Sequence, residues 1–168
     1  TSQSSKTVSL ENSLSATDAL AKGAVPAIKS FGNSKTFAYV YNHDDNRAGI
    51  TGNIVIYTPI TFTAKMFSIT GTGYNYLQNQ SSVDFSVSGY AYSGSSILQH
   101  GASNYGRLPL RIRLGVKDSK LCIILTSMSA NNKWEYPKFS LNATIGYTLP
   151  PDSWKDGWTS SMVLEADL

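Results

Sequence analysis

From residue 35 onward the apolar positions recur every second residue, the period of a half-buried β-strand rather than a helix. Residues 36–41 alternate aromatic and small side chains, and residues 52–57 follow, closing on Thr58-Pro59. Further strands are predicted over 62–70 and 82–92. In the second of these Val83, Phe85 and Val87 take one face, and Asp84, Ser86 and Ser88 the other. The cleanest alternation runs over 107–117. There Leu108, Leu110, Ile112, Leu114 and Val116 share one face, while Arg107, Arg111, Arg113 and Lys117 share the opposite one. Asp118-Ser119 is read as a tight turn into 120–126, a strand apolar on both faces and so expected to be covered on both. Residues 134–147 supply one or two more. Short strands at regular spacing, with turn residues between them, predict an all-β chain. The expected form is an antiparallel β-sandwich head over residues 35–168, with Leu110, Ile112, Leu114, Ile123 and Leu125 in its core.

Residues 1–34 follow a different pattern. Residues 15–23 read as a short helix: Ser15 or Thr17 caps it, Asp18 complements its dipole and Gly23 suits a left-handed stop. Val25-Pro26 then forces the chain to extend. Val8, Leu10, Leu14, Leu20, Val25 and Ile28 fit no heptad and are too few for an independent core. The segment is expected to be a short N-terminal stalk that buries its apolar residues by association, near the axis of a homotrimer.

Composition narrows the class. Charged residues are 15% of the chain against about 25% in ordinary domains, while hydrophobic residues reach 41%. That balance opposes disorder, and the ten tyrosines and thirteen glycines suit a β-rich protein with a polar, uncharged surface. A net charge of +3 is too small to argue for nucleic acid. No apolar run approaches the ~18 residues of a membrane helix, so no membrane insertion is expected. The single Cys122 excludes an intrachain disulfide and sits in an apolar run, as a buried thiol does. The opening residues lack the apolar stretch of a signal peptide, and Thr1 in place of Met points to a piece of a longer chain.

Catalytic motifs are sparse. Residues 42–47 place His43 beside Asp44 and Asp45, but the calcium-loop spacing is missing and His100 is far away, so a polar turn is expected and no metal. No Gly-x-Ser-x-Gly, phosphate loop or His-Glu-x-x-His occurs, and no acidic pair is singled out for sugar hydrolysis. Neither enzyme activity nor a cofactor is expected. The four cations on the 107–117 face are expected to meet solvent, acidic groups of a neighbouring subunit, or an anionic sugar or lipid phosphate. Aromatics set among Gly, Ser and Asn are more suggestive, because flat rings stack on the apolar faces of sugars and nearby amides bond their hydroxyls. The same residues also build adaptable protein-binding surfaces. Loops at one end of the head are therefore the expected contact site. The candidates are Tyr74, Tyr76 and Asn79 in the loop after residue 70, and Tyr92, His100, Asn104 and Tyr105 in or beside the long polar connection 93–106. Trp134 is held in reserve, because Asn131-Asn132 marks a turn tip before it. Trp154 and Trp158 also lie among polar residues.

Several motifs in order carry a resemblance. Residues 53–60 and 87–92, then 120–125, Trp134-Glu135-Tyr136-Pro137-Lys138, Ile145-Gly146-Tyr147 and residues 152–158 together resemble the distal module of bacteriophage tail fibres. That type precedes an intramolecular chaperone, which assists trimerisation and then cleaves itself off. The resemblance spans residues 45–168; the region before it and the tail 162–168 depart from the pattern. It implies a trimeric β-rich tip at the distal end of a virion's tail fibre, touching a bacterial surface polysaccharide or an outer-membrane protein, and it carries over no catalytic residue. A tailspike-like depolymerase fragment and a purely structural fibre segment are the alternatives. The absence of repeating β-helix rungs favours binding over hydrolysis.

Overall fold

A computed structural model describes residues 27–168. The expected helix over 15–23 and most of the stalk lie outside the described residues. The chain from Ile28 onward is all-β, built of β1 (Ile28–Phe31), β2 (Ser34–Asp44), β3 (Ile50–Thr51), β4 (Asn53–Thr61), β5 (Thr63–Tyr74), β6 (Ser82–Ser93), β7 (Ile97–Asn104), β8 (Leu110–Lys117), β9 (Lys120–Ser127), β10 (Lys133–Trp134), β11 (Lys138–Tyr147) and β12 (Thr159–Val163). Three short 3₁₀ turns interrupt the last third. A six-stranded sheet runs β1-β2-β11-β5-β6-β7 and a four-stranded sheet runs β12-β4-β9-β8; β3 and β10 form a separate pair. Every described pairing is antiparallel.

The alternation seen in the sequence decides which side of each strand is buried. Phe67 and Ile69 of β5, Val83, Phe85 and Val87 of β6, and Phe139, Leu141 and Ile145 of β11 point the same way. They join Ile54 and Ile56 of β4 and Leu121, Ile123 and Leu125 of β9 in one hydrophobic cluster fed by both sheets. The β8–β9 turn has φ of 51° at Asp118 and 62° at Ser119, the left-handed pair of a type I′ hairpin, whose twist matches the strands it joins. Pro59 is accommodated inside β4 because the register with β9 breaks between Tyr57 and Thr61. There the Thr58 hydroxyl donates to the Leu121 carbonyl at 2.8 Å and accepts from the Ile60 amide at 3.2 Å. Cys122 is buried, and desolvation pushes its thiol pKa up.

Three sequence expectations need correction. Residues 93–106 are not one long connection: a short turn leads into β7, which pairs with β6 as an edge strand. Leu110, Ile112 and Leu114 are only half-buried at the margin of the core, because β8 is the edge of its sheet, whereas Ile123 and Leu125 beside them are fully buried. The basic face of β8 is partly neutralised within the chain. Arg113 grips Glu165 through two bonds of 2.8 Å, and Asn53 donates to the same carboxylate at 2.9 Å.

Those bonds hold the Glu165 pKa down to about 2 from 4.5, the Arg113 guanidinium being the largest cause. A carboxylate depressed in the folded state stabilises it above its unfolded pKa, and that stabilisation fades as pH falls through the folded value. The C-terminal turn Glu165–Asp167 is therefore expected to loosen between pH 4.5 and about 2. Amide protection at Asp167 and Leu168, relative to the intrinsic exchange rate at each pH, should fall across that window in the native chain and be low throughout in Glu165→Gln.

His43 is a second pH-sensitive element. Its ring stacks on Phe139 at 5.1 Å, and its Nδ1 meets the Ser160 hydroxyl at 2.8 Å, tying β2 to β12. Among the described residues Nε2 has no partner. Burial lowers its pKa, against the opposing pull of Asp45 and Asp44. The unfolded chain thus takes a proton first, so stability is full above pH 6.5 and declines as pH falls through the depressed folded value. Thermal midpoints measured across that range should slope downward in the native chain and flatten in His43→Leu.

Candidate functional site: a tyrosine-bearing end

The loops 45–49, 75–81, 105–109 and 135–137 converge at one end of the sheets, tied by bonds between residues distant in sequence. Fully buried Asn75 is the centre of the knot. Its amide donates to the Ser81 carbonyl at 3.0 Å, which closes the β5–β6 loop, and its side-chain oxygen accepts the Glu135 amide at 2.7 Å. The Tyr76 amide donates to the Glu135 carbonyl at 2.7 Å and the Tyr136 amide to the Arg47 carbonyl at 2.9 Å. The Glu135 carboxylate accepts the Gly49 amide at 2.8 Å.

On this frame the rings stand outward. Tyr76 is 77% exposed, Tyr105 69%, Tyr74 52% and Tyr136 40%. Tyr76 and Tyr136 meet edge to face with centroids 6.2 Å apart. Tyr136 has φ of 49°, a left-handed conformation that costs a bulky residue about 1–2 kcal/mol and persists only where neighbours impose it. Asn79, φ 61°, forms the exposed tip of the 75–81 loop. Tyr105 is anchored by its amide to the Asp84 carbonyl at 2.7 Å. Asn104 builds the turn beneath it, donating to the Leu108 carbonyl at 2.9 Å and accepting the Gly106 amide at 3.2 Å.

Next to Tyr74 lies a shallow cavity of about 290 Å³, lined among others by Asn42, Asp44, Thr72, Lys138 and Ser140. Lys138 pairs with Asp44 and donates to Asn46 at 2.7 Å; the Ser140 hydroxyl donates to Asn42 at 2.7 Å. Behind it Arg47 forks onto Asp45 at 3.0 and 2.8 Å. That hydrogen-bonded guanidinium, above all other causes, holds the Asp45 carboxyl below its ordinary pKa. The end therefore offers rings, hydroxyls, amides and paired charges.

Five sequence candidates, Tyr74, Tyr76, Asn79, Asn104 and Tyr105, share this end. Tyr92 does not: it lies ten residues along β6 from Ser82, about 33 Å away at ~3.3 Å per residue. His100 lies within β7, exposed, beside a groove that Ile112 and Leu114 also line. Trp134 is fully buried, with its indole N–H donating to the Gly52 carbonyl at 3.1 Å, so its ring is core rather than contact surface. Trp154 and Trp158 are buried too, the second donating to the first's carbonyl at 2.7 Å. Residues 42–47 form no metal cradle, because successive side chains on β2 point to opposite faces: His43 enters the core while Asp44 meets Lys138. Among the described residues no three of His, Cys, Asp and Glu gather in a metal-holding group. Tyr136 is a site residue that the sequence pattern does not reveal; the Tyr136-Pro137 step is its local signal. Compared with known proteins, no family model, no curated protein and no solved structure matches this chain.

Proposed function

We propose that the chain is the receptor-binding tip of a bacteriophage tail fibre. Three β-sandwich heads assemble as a homotrimer at the distal end of the fibre and attach to a bacterial lipopolysaccharide sugar or outer-membrane protein. The observation that carries this reading is the gathering of Tyr74 from the end of β5 and of Tyr76, Tyr105 and Tyr136 from three separate loops onto one end of a stiff sheet frame. Exposed tyrosines give large amphipathic contact area at low entropic cost; the knot around Asn75 fixes Tyr76 and Tyr136, and the Asp84 carbonyl holds the Tyr105 backbone, before any partner arrives. The tail-fibre resemblance of residues 45–168 supports the same assignment.

Adsorption tests it. Purified protein added to bacteria that differ only in O-antigen should bind one strain and block phage attachment to it. A preparation that binds no strain removes the attachment function. Sedimentation should give a trimer, and a stable monomer at micromolar concentration removes the trimer. Sizing of host polysaccharide after incubation separates binding from hydrolysis: unchanged chain length is expected, and shortened chains would favour the depolymerase.

A further inference from the structure

We infer that the outward face of the six-stranded sheet is a lane for an uncharged polysaccharide chain, running from the tyrosine-bearing end to a second tyrosine group at the opposite end. This rests on the attachment function proposed above and assigns the receptor's chemistry. The register of β11, β5 and β6 lines up Asn142, Thr70 and Ser86 in one row and Thr144, Ser68 and Ser88 in the next, all on the face away from the core. Each is exposed or half-exposed, and neither row holds a charge.

Tyr74 bounds the lane on β5, and Met66, eight residues back on the same face, pairs with Tyr90. The two ends are thus about 26 Å apart at ~3.3 Å per residue. At the far end Tyr90 lies 5.4 Å from Tyr92 and 5.6 Å from Tyr147, centroid to centroid. Tyr147 would follow Ile145 toward the core side by strand alternation. Its φ of 70° breaks the alternation and leaves the ring against Tyr90, 64% exposed. Of the three tyrosines with positive φ, Tyr136 and Tyr147 lie toward the two ends of the sheet, while Tyr39 sits mid-strand where the register of β2 with β11 shifts.

The chemistry of the floor selects the occupant. Serine and threonine hydroxyls both donate and accept, as sugar hydroxyls require, and short side chains lose little rotamer entropy on contact. An acidic chain finds no cation along the two rows, and leaving its charges unpaired against a neutral surface is unfavourable. A neutral glycan meets complementary groups along the two rows; the next row toward Tyr74, formed by Ser140, Thr72 and Asp84, adds a carboxylate that accepts from sugar hydroxyls and repels an acidic chain, and rings stand at both ends.

The test uses O-polysaccharide released from the lipopolysaccharide of an adsorbing strain with a neutral repeat, cut by mild acid into graded lengths. Each fraction is titrated calorimetrically into the whole protein. Affinity should rise with fragment length and level off once fragments span both tyrosine groups. Tyr147→Ala should weaken the longest fragments about tenfold, equivalent to about 1.4 kcal/mol, and leave the shortest unchanged. Ser68→Lys should weaken the long fragments similarly. Thr70→Val, which removes a floor hydroxyl without adding bulk or charge, should shift them in the same direction. Affinity independent of length, or Ser68→Lys and Thr70→Val both binding normally, overturns the lane. A shift of oligomeric state in Ser68→Lys overturns it as well, by making the face a contact between copies. Cell adsorption that persists without a length effect rejects the lane alone, whereas a wild-type protein adsorbing to no strain rejects the attachment function itself.

Discussion

Ile123→Ala is expected to cost about 2–5 kcal/mol of folding stability, because it removes a fully buried side chain from the central strand β9 and leaves a cavity between rigid neighbours. Ile112→Ala, on the neighbouring edge strand, should cost about 1–2 kcal/mol. Ile112 sits opposite Leu125 and faces the same core, but it is half-exposed already, so less apolar surface is lost and solvent can fill the gap. Denaturant melts of the two variants check the difference. Equal losses would mean that the open side of β8 is covered in the assembled protein, and a loss below about 0.5 kcal/mol at Ile123 would contradict its place in the core.

Tyr76→Ala should reduce adsorption to the host at least tenfold while leaving the thermal midpoint nearly unchanged, since its ring is 77% exposed and its backbone bond to Glu135 survives the change. Tyr136 allows a sharper version. Tyr136→Ala and Tyr136→Gly remove the same ring and should lose adsorption equally. The glycine variant should nonetheless be more stable than the alanine variant by about 1 kcal/mol, because only glycine occupies the left-handed φ without a Cβ penalty. Normal adsorption by both would take Tyr136 out of the site. Equal stability would show that its backbone is unstrained.

These expectations separate what a strand pattern reports from what it omits. Alternation found β2, β4, β5, β6, β9 and β11 because each buries one or both faces, and burial writes the period of two into the sequence. It missed β7, whose residues 98–104 are exposed on both faces, so no alternation was available to read. It missed β1 and β12, which are short and lie at sheet edges. On β8 the alternation marks the right face but not its depth, because a period gives the face and not whether a second layer fully covers it.

The candidate site divides the same way. Aromatics among Gly, Ser and Asn were visible as a residue class, and most of the tyrosines chosen do stand outward. Which of them meet was not visible. Tyr76 reaches Tyr136 across 60 residues through the buried amide of Asn75, and Tyr92 is carried to the opposite end by the length of β6. Trp134 looked like a loop ring because Asn131-Asn132 turns the chain before it, yet the pairing of β10 with β3 draws it under Gly52. The strand period, the inward faces of β6 and β8 and the Asp118-Ser119 hairpin are legible from local pattern alone. These depend on neighbouring residues and on backbone preferences that act locally. The tertiary structure decided the strand order, the edge position of β8, the burial of Trp134 and the grouping of the tyrosines. These depend on which distant strands share hydrogen bonds, and no local pattern records that pairing.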